Sequence, residues 1–130
     1  MGVKYIWDTN IAIYFLQQQF PIAAENFIDR CLIESKPCFS AITEIELLCW
    51  KTASDYEINV IENFISECQV FELEKSVKIK TAQIRRAHKI KLPDAIIAAT
   101  ALVHDFILIT RNTSDFKKID GLKLVDPFNL

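Results

Sequence analysis

Little in this chain divides it or staples it together. Its two glycines and four prolines are scattered through 130 residues. No Pro/Gly-rich linker, repeat or low-complexity tract interrupts it, so one domain over residues 1–130 is expected. The four cysteines, Cys31, Cys38, Cys49 and Cys68, contain no C-x-x-C pair, which removes the common zinc and dithiol motifs. Buried, reduced thiols acting as small hydrophobes are expected. Apolar runs such as Ala95 to Val103 are too short to cross a bilayer. Lys4 leads straight into a strand-like stretch carrying Asp8, which is not a signal-peptide pattern. The expected location is the cytoplasm. Only two histidines, His88 and His104, are present, both within predicted helices, so no imidazole metal site is expected.

Net charge is also small, −2 at neutral pH, but it conceals a division. Residues 1–74 hold four Lys and Arg against twelve Asp and Glu; residues 75–130 hold eleven against five. A basic half gathered on one face would attract a polyanion, and a solvated helix surface accounts for it equally well.

What is present is alternation. Val3 to Trp7 reads as a strand, followed by a helix from Asn10 to Gln18 with Ile11, Tyr14 and Phe15 on one face. Pro21 opens a second helix at its favoured first position, running to Glu34 with Ala24, Phe27, Ile28 and Cys31 inward. A short strand at 36–39 precedes a helix from Ser40 to Trp50, and another helix covers Asp55 to Glu67. Gln69 to Leu73 is a strand, Ser76 to Lys89 a basic helix ended by Pro93, and Asp94 to His104 an alanine-rich helix. Phe106 to Thr110 is the most strand-like run, unbroken by polar residues until Thr110, as in a strand buried on both faces. Gly121 precedes a last strand, Leu122 to Val125. Strands alternating with helices predict an α/β fold with parallel crossovers.

Acids recur where strands end. Asp8 follows the first strand, where a side-chain oxygen caps the next helix or serves as a ligand. In the 40–50 helix, about 100° per residue puts Glu46 on the face of Ile42, Ile45 and Cys49, with Glu44 roughly opposite. A carboxylate on an inward face requires a partner. One is offered by a capping box from Thr43 to Glu46, although Ser40 is an equally good cap for an earlier start. Asp94 begins its helix and shares a face with Ile97, Ala98 and Ala101. After the buried strand, Asn112 and Asp115 compete for one position. In a parallel sheet these places lie on one side, at the carboxyl ends of the strands. Three or four hard oxygen donors there suit Mg²⁺ or Mn²⁺, ions that support phosphodiester hydrolysis.

These residues form a recognisable pattern. The first strand ending in Asp8-Thr9-Asn10, the segment Ser40 to Leu47, the segment Leu92 to Leu102 and the segment Ile109 to Phe116 together resemble the PIN-domain nucleases, in particular the single-domain toxins of VapBC type. The resemblance implies a three-layer PIN fold, a parallel sheet of about five strands with helices on both faces. It also implies a Mg²⁺- or Mn²⁺-dependent endoribonuclease acting on tRNA, rRNA or mRNA. By motif position its acids are Asp8, Glu46 and Asp94, with Asp115 or Asn112 at the fourth place. Thr9, Lys91 and Arg111, with Lys89, are the candidate contacts to substrate. The implied partners are a small antitoxin and a second copy of the chain, with Phe15, Phe20 and Trp50 as surface candidates beside a core-packing role. The rival functions are a non-catalytic scaffold of the same fold, an RNA-maturation or DNA nuclease, and a phosphoacceptor receiver. The receiver requires adjacent acids after the first strand, which are not there.

Overall fold

The computed structural model describes residues 3–130. The chain runs β1 (Tyr5–Trp7), α1 (Thr9–Leu16), α2 (Ile22–Glu34), β2 (Cys38–Ser40), α3 (Ala41–Leu48), α4 (Asp55–Ser66), β3 (Gln69–Phe71) and α5 (Lys75–Ala87). It continues with α6 (Leu92–His104), β4 (Ile107–Ile109), α7 (Thr113–Phe116) and β5 (Lys123–Val125). The strands are shorter than the apolar runs that announce them. Every ladder is parallel, as alternation with helices requires. β4 lies between β1 and β5, and β2 pairs with β3. The five strands therefore hydrogen-bond as three plus two; β1 packs beside β2, but among the described residues no ladder joins them.

Side-chain alternation along β1 and β4 divides the interior into two cores. Ile6 and Leu108 point to one face, where they meet Val77 and Ile84 of α5 and Ile97, Ala98 and Ala101 of α6. Trp7 and Ile109 point to the other, against Ile11 and Ala12 of α1, Ile28 of α2, Leu47 of α3 and Ile61 of α4. The small side chains of α6, all buried from Ala95 to Ala101, let its backbone approach the sheet closely. Phe15, Phe20 and Trp50, considered as surface elements, are half-buried and pack against the second core.

Several local expectations are corrected. Pro21 caps α2 in an extended conformation (ψ 162) and the helix begins one residue later. Pro93 does not end α5, which stops at Ala87 where His88 turns extended. It lies instead in the first turn of α6, where its missing N–H costs no hydrogen bond. Asp94 is consequently a residue of that first turn and not its cap. The inward face of α3 is centred on Thr43 and Leu47, four residues apart, while Ile45, Glu46 and Cys49 are exposed. Cys49 thus departs from the expectation of buried thiols. The other three fit better: burial pushes the Cys31, Cys38 and Cys68 thiols up, Cys68 to about 12. All four are free. On α5 the basic side chains Lys75, Lys78, Arg85 and Arg86 stand outward, opposite buried Val77, Thr81 and Ile84. Among the described residues no helix is long and apolar enough to cross a membrane.

Candidate active site

The parallel register decides where the first acid lies. Trp7 pairs with Ile109, so Asp8 and Thr110 emerge side by side one residue beyond. The Asp8 amide continues the ladder onto the Ile109 carbonyl at 3.0 Å, and the Thr110 amide does the same onto Val125 at 3.0 Å. The Asp8 side chain then does two jobs. Its Oδ1 accepts the Thr9 amide at 2.8 Å, capping α1, and its Oδ2 accepts the Thr110 hydroxyl at 2.7 Å. Capping and a place in the cleft, which are alternatives on sequence alone, coexist. Asp8 is 5% exposed. Burial pushes its carboxyl up to about 6, against the pull of the Thr110 hydrogen bond; the carboxylates of Asp94 and Glu46 push the same way.

Glu46 reaches the site by a different route from the one its helical angle suggests. It is exposed, on the flank of α3, and is aimed by hydroxyls. Thr9 Oγ1 donates to Glu46 Oε1 at 2.6 Å and lies 2.9 Å from Thr43 Oγ1. A hydroxyl has one proton, and here it goes to the carboxylate, so Thr43 must be the donor to Thr9. The chain Thr43 to Thr9 to Glu46 fixes the acid from a fully buried anchor, Thr43 being 0% exposed. The capping box at 43–46 does not form, because Ser40 caps α3 through the Ile42 amide at 3.2 Å.

Asp94 is half-buried in the first turn of α6, and among the described residues no hydrogen bond reaches its carboxylate. Burial raises its pKa first, then Glu46 and Asp115, while the Lys91 ammonium lowers it. Asp115 is exposed on α7, and its Oδ2 accepts Asn112 Nδ2 at 3.0 Å. The two candidates for the fourth corner thus act as a pair, the amide holding the acid. These residues line one cleft of about 490 Å³: Asp8, Thr9, Asn10, Ile13, Glu46, Lys91, Pro93, Asp94, Asn112 and Asp115. Lys89 and Arg111 are not among them. Lys89 is exposed, with its carbonyl accepting Lys118 Nζ at 2.8 Å, and the Arg111 guanidinium is engaged by Tyr14. Sequence reasoning missed Thr43 and Thr110. Thr110 had a signal, being the polar residue that ends a buried strand as Asp8 ends its neighbour; Thr43 had none apart from its tertiary contact.

The donor set is all oxygen, and two of its acids, Asp8 and Asp94, carry pKa values raised by burial and by like charge. That is a fit to a hard divalent cation, whose charge would relieve the repulsion. Among the described residues no three acidic, cysteine or histidine side chains converge into a direct cage. Mg²⁺ suits such spacing, since it is commonly held by one or two carboxylates with waters completing the shell. The hydroxyl relay yields a prediction. Thr9→Val leaves the fold in place but frees Glu46, and a lost hydrogen bond to a charged group corresponds to about 1.5–3 kcal/mol. The divalent concentration giving half-maximal cleavage should rise on the order of tenfold or more in Thr9→Val and recover in Thr9→Ser; an unchanged titration would mean the relay does not position Glu46.

Comparison with known proteins bears on what the cleft does. The PIN domain family model matches residues 5–122. The chain is 29% identical over 132 residues to the tRNA(fMet)-specific endonuclease VapC of Shigella flexneri, covering 95% of this chain and 98% of the relative. It is 29% identical over 129 residues to Ribonuclease VapC2 of Haemophilus influenzae, covering 93% and 96%. Among solved structures, that of DNA-bound VapBC from Salmonella typhimurium superimposes with a TM-score of 0.82 at 27% identity, over 97% of this chain and 99% of the other.

Proposed function

This chain belongs to the PIN-domain family, and on that footing we propose that it is a divalent-metal-dependent endoribonuclease, the toxin of a VapBC-type pair. The observation that carries the reading is the acid cleft, with Asp8 and Asp94 held at raised pKa and Glu46 and Asp115 aimed into it by neutral donors. A merely structural role would not keep Asp8 buried and Asp94 half-buried without a paired cation, since unpaired buried carboxylates are costly. Relatives named as endonuclease and ribonuclease VapC, matched along nearly their full length, support it.

In this reading Asp8, Glu46 and Asp94 would hold Mg²⁺ or Mn²⁺, with Asp115 as the fourth acid of the set. When bound, the ion supplies Lewis-acid stabilisation of the charge that builds on the phosphate in the transition state. The residues of the chain do the rest. Thr110 and the Thr9 amide orient Asp8, the Thr43–Thr9 relay orients Glu46, and Asn112 orients Asp115. Lys91, on the cleft wall beside Asp94, supplies a positive charge for the phosphate backbone. The substrate is RNA, with initiator tRNA the first to try, given the name of the Shigella relative. The partner is a small antitoxin, and the chain forms a homodimer. Ile45 and Leu48 on α3, with Tyr56 and Val60 on α4, are large apolar side chains left exposed for such contacts.

The test is expression of the chain alone and together with the small reading frame beside its gene, with the RNA ends sequenced. Growth arrest relieved by the neighbour, with one dominant cut, is the expected result. Growth unaffected by high expression, together with intact RNA in a Mn²⁺ assay of the purified protein, would reject the toxin reading.

A further inference from the structure

Arg111 is engaged in a way that its expected role as a phosphate contact does not explain. Its guanidinium carbon lies 4.0 Å from the centroid of the Phe128 ring and 5.6 Å from that of Tyr14, and Nη1 donates to the Tyr14 hydroxyl at 3.0 Å. Tyr14, Phe20 and Phe128 close into a trio, with centroids 5.2, 5.9 and 6.1 Å apart. The arginine itself remains exposed. A surface arginine ordinarily samples many rotamers in water; here the guanidinium is held against Phe128 and Tyr14 while the residue stays exposed to solvent. Its two chain neighbours both belong to the cleft's hydrogen bonding: Thr110 donates to Asp8 and Asn112 to Asp115. Arg111 therefore stands at the rim of the acid site.

An arginine placed for phosphate presents its fork of donors to the anion. In this one part of the fork is committed to Tyr14, and the guanidinium, a flat cation, still reaches solvent. Such cations stack on aromatic and heteroaromatic rings, and unpaired bases are recognised on aromatic side chains and arginine planes in this way. Resting on the ribonuclease reading above, we propose that Arg111, backed by Phe128 and Tyr14, is a stacking platform for one unpaired RNA base flanking the scissile phosphodiester. The ligand is thus a single-stranded or splayed segment, because a base within a duplex keeps its faces covered by its own neighbours. An uncharged ring placed there also lets RNA approach four carboxylates with one neutral anchoring point that does not depend on the metal.

The experiment measures binding apart from cleavage. In an Asp8→Asn, Asp94→Asn background, fluorescence anisotropy follows a labelled heptamer of oligoadenylate and the same heptamer with abasic riboses. Arg111→Ala should lower affinity for the oligoadenylate about tenfold, as loss of one stacked base implies, and leave affinity for the abasic heptamer unchanged. Arg111→Lys should behave like Arg111→Ala, because a lysine keeps the charge without the plane. Equal losses on both heptamers, or rescue by lysine, would make Arg111 a phosphate contact and overturn the platform, as would no loss on either. Thermal melting of each variant separates a failure to fold from a loss of stacking. The cleavage assay of the unmodified chain judges the nuclease reading independently: stacking without cleavage rejects that reading alone.

Discussion

Asp8→Asn is expected to abolish divalent-dependent RNA cleavage and, in the presence of chelator, to make the protein more stable at neutral pH. The two results have one cause. Asp8 is 5% exposed, with its carboxyl pushed up from 3.8 to about 6 chiefly by burial. A shift of that size corresponds to about 3 kcal/mol of destabilisation of the ionised group relative to the unfolded chain. The sign follows from an acid whose folded pKa is raised. The cost is absent below the unfolded value, grows as pH rises through the interval from 3.8 to about 6, and is fully present above it. Asparagine removes the charge but can satisfy only one of the two donors, Thr9 N–H and Thr110 O–H, as an acceptor. That loss offsets on the order of 1 kcal/mol. The net gain at pH 7.5 is then about 1–2 kcal/mol, seen as a rise of roughly 3–8 °C in melting temperature. At pH 4 the difference between variant and unmodified protein should close. Cleavage retained by purified Asp8→Asn would remove Asp8 from the catalytic set; a variant less stable at both pH values would mean that its hydrogen bonds outweigh its buried charge.

The second large effect is on the ion itself. Chelation should lower cleavage by at least about a thousandfold, and Mn²⁺ or Mg²⁺ should restore it, because the carboxylates alone repel an anionic phosphodiester. Below about pH 6, protons compete with the ion for Asp8, so activity should fall about tenfold per pH unit at subsaturating metal. Raising the metal concentration should move that fall to lower pH, which simple acid unfolding would not do. The same ion should stabilise the fold at pH 7.5 by about 2.7 kcal/mol at a hundred times its dissociation constant, seen as a higher melting temperature, and much less at pH 4.5. Full activity in chelator would exclude metal-assisted hydrolysis by these acids.

The backbone plan was more legible in the chain than the reasons for individual contacts. Alternating apolar runs and helical stripes place every strand and every helix but the short α7 to within a few residues, because burial on both faces of a parallel sheet imposes a continuous apolar run such as Phe106 to Ile109. Asp8 and Asp94 follow from the same logic, since strand ends and helix starts are fixed by it. Glu46 was found for a reason that does not hold. The helical angles placed it inward beside Ile45 and Cys49, whereas α3 turns Thr43 and Leu47 to the core and leaves all three exposed. Which stripe of a short amphipathic helix is buried depends on the elements it meets, and here Thr9 from another helix supplies the deciding contact. Asn112 and Asp115 could not be separated by sequence, and in the fold the amide of the one is hydrogen-bonded to the carboxylate of the other. Arg111 was assigned by its charge alone, and its geometry depends on Phe128, seventeen positions away in the chain.

The seam between the two ladders has a consequence for how such a site keeps its spacing. Asp8 belongs to the β1–β4–β5 ladder and Glu46 to the helix that follows β2, so no shared set of strand hydrogen bonds sets their separation. Two threonine hydroxyls span the gap instead. The spacing of the two acids is thereby a property of side chains: a substitution at position 9 or 43 alters how Glu46 is held while leaving the hydrogen bonds of both ladders in place.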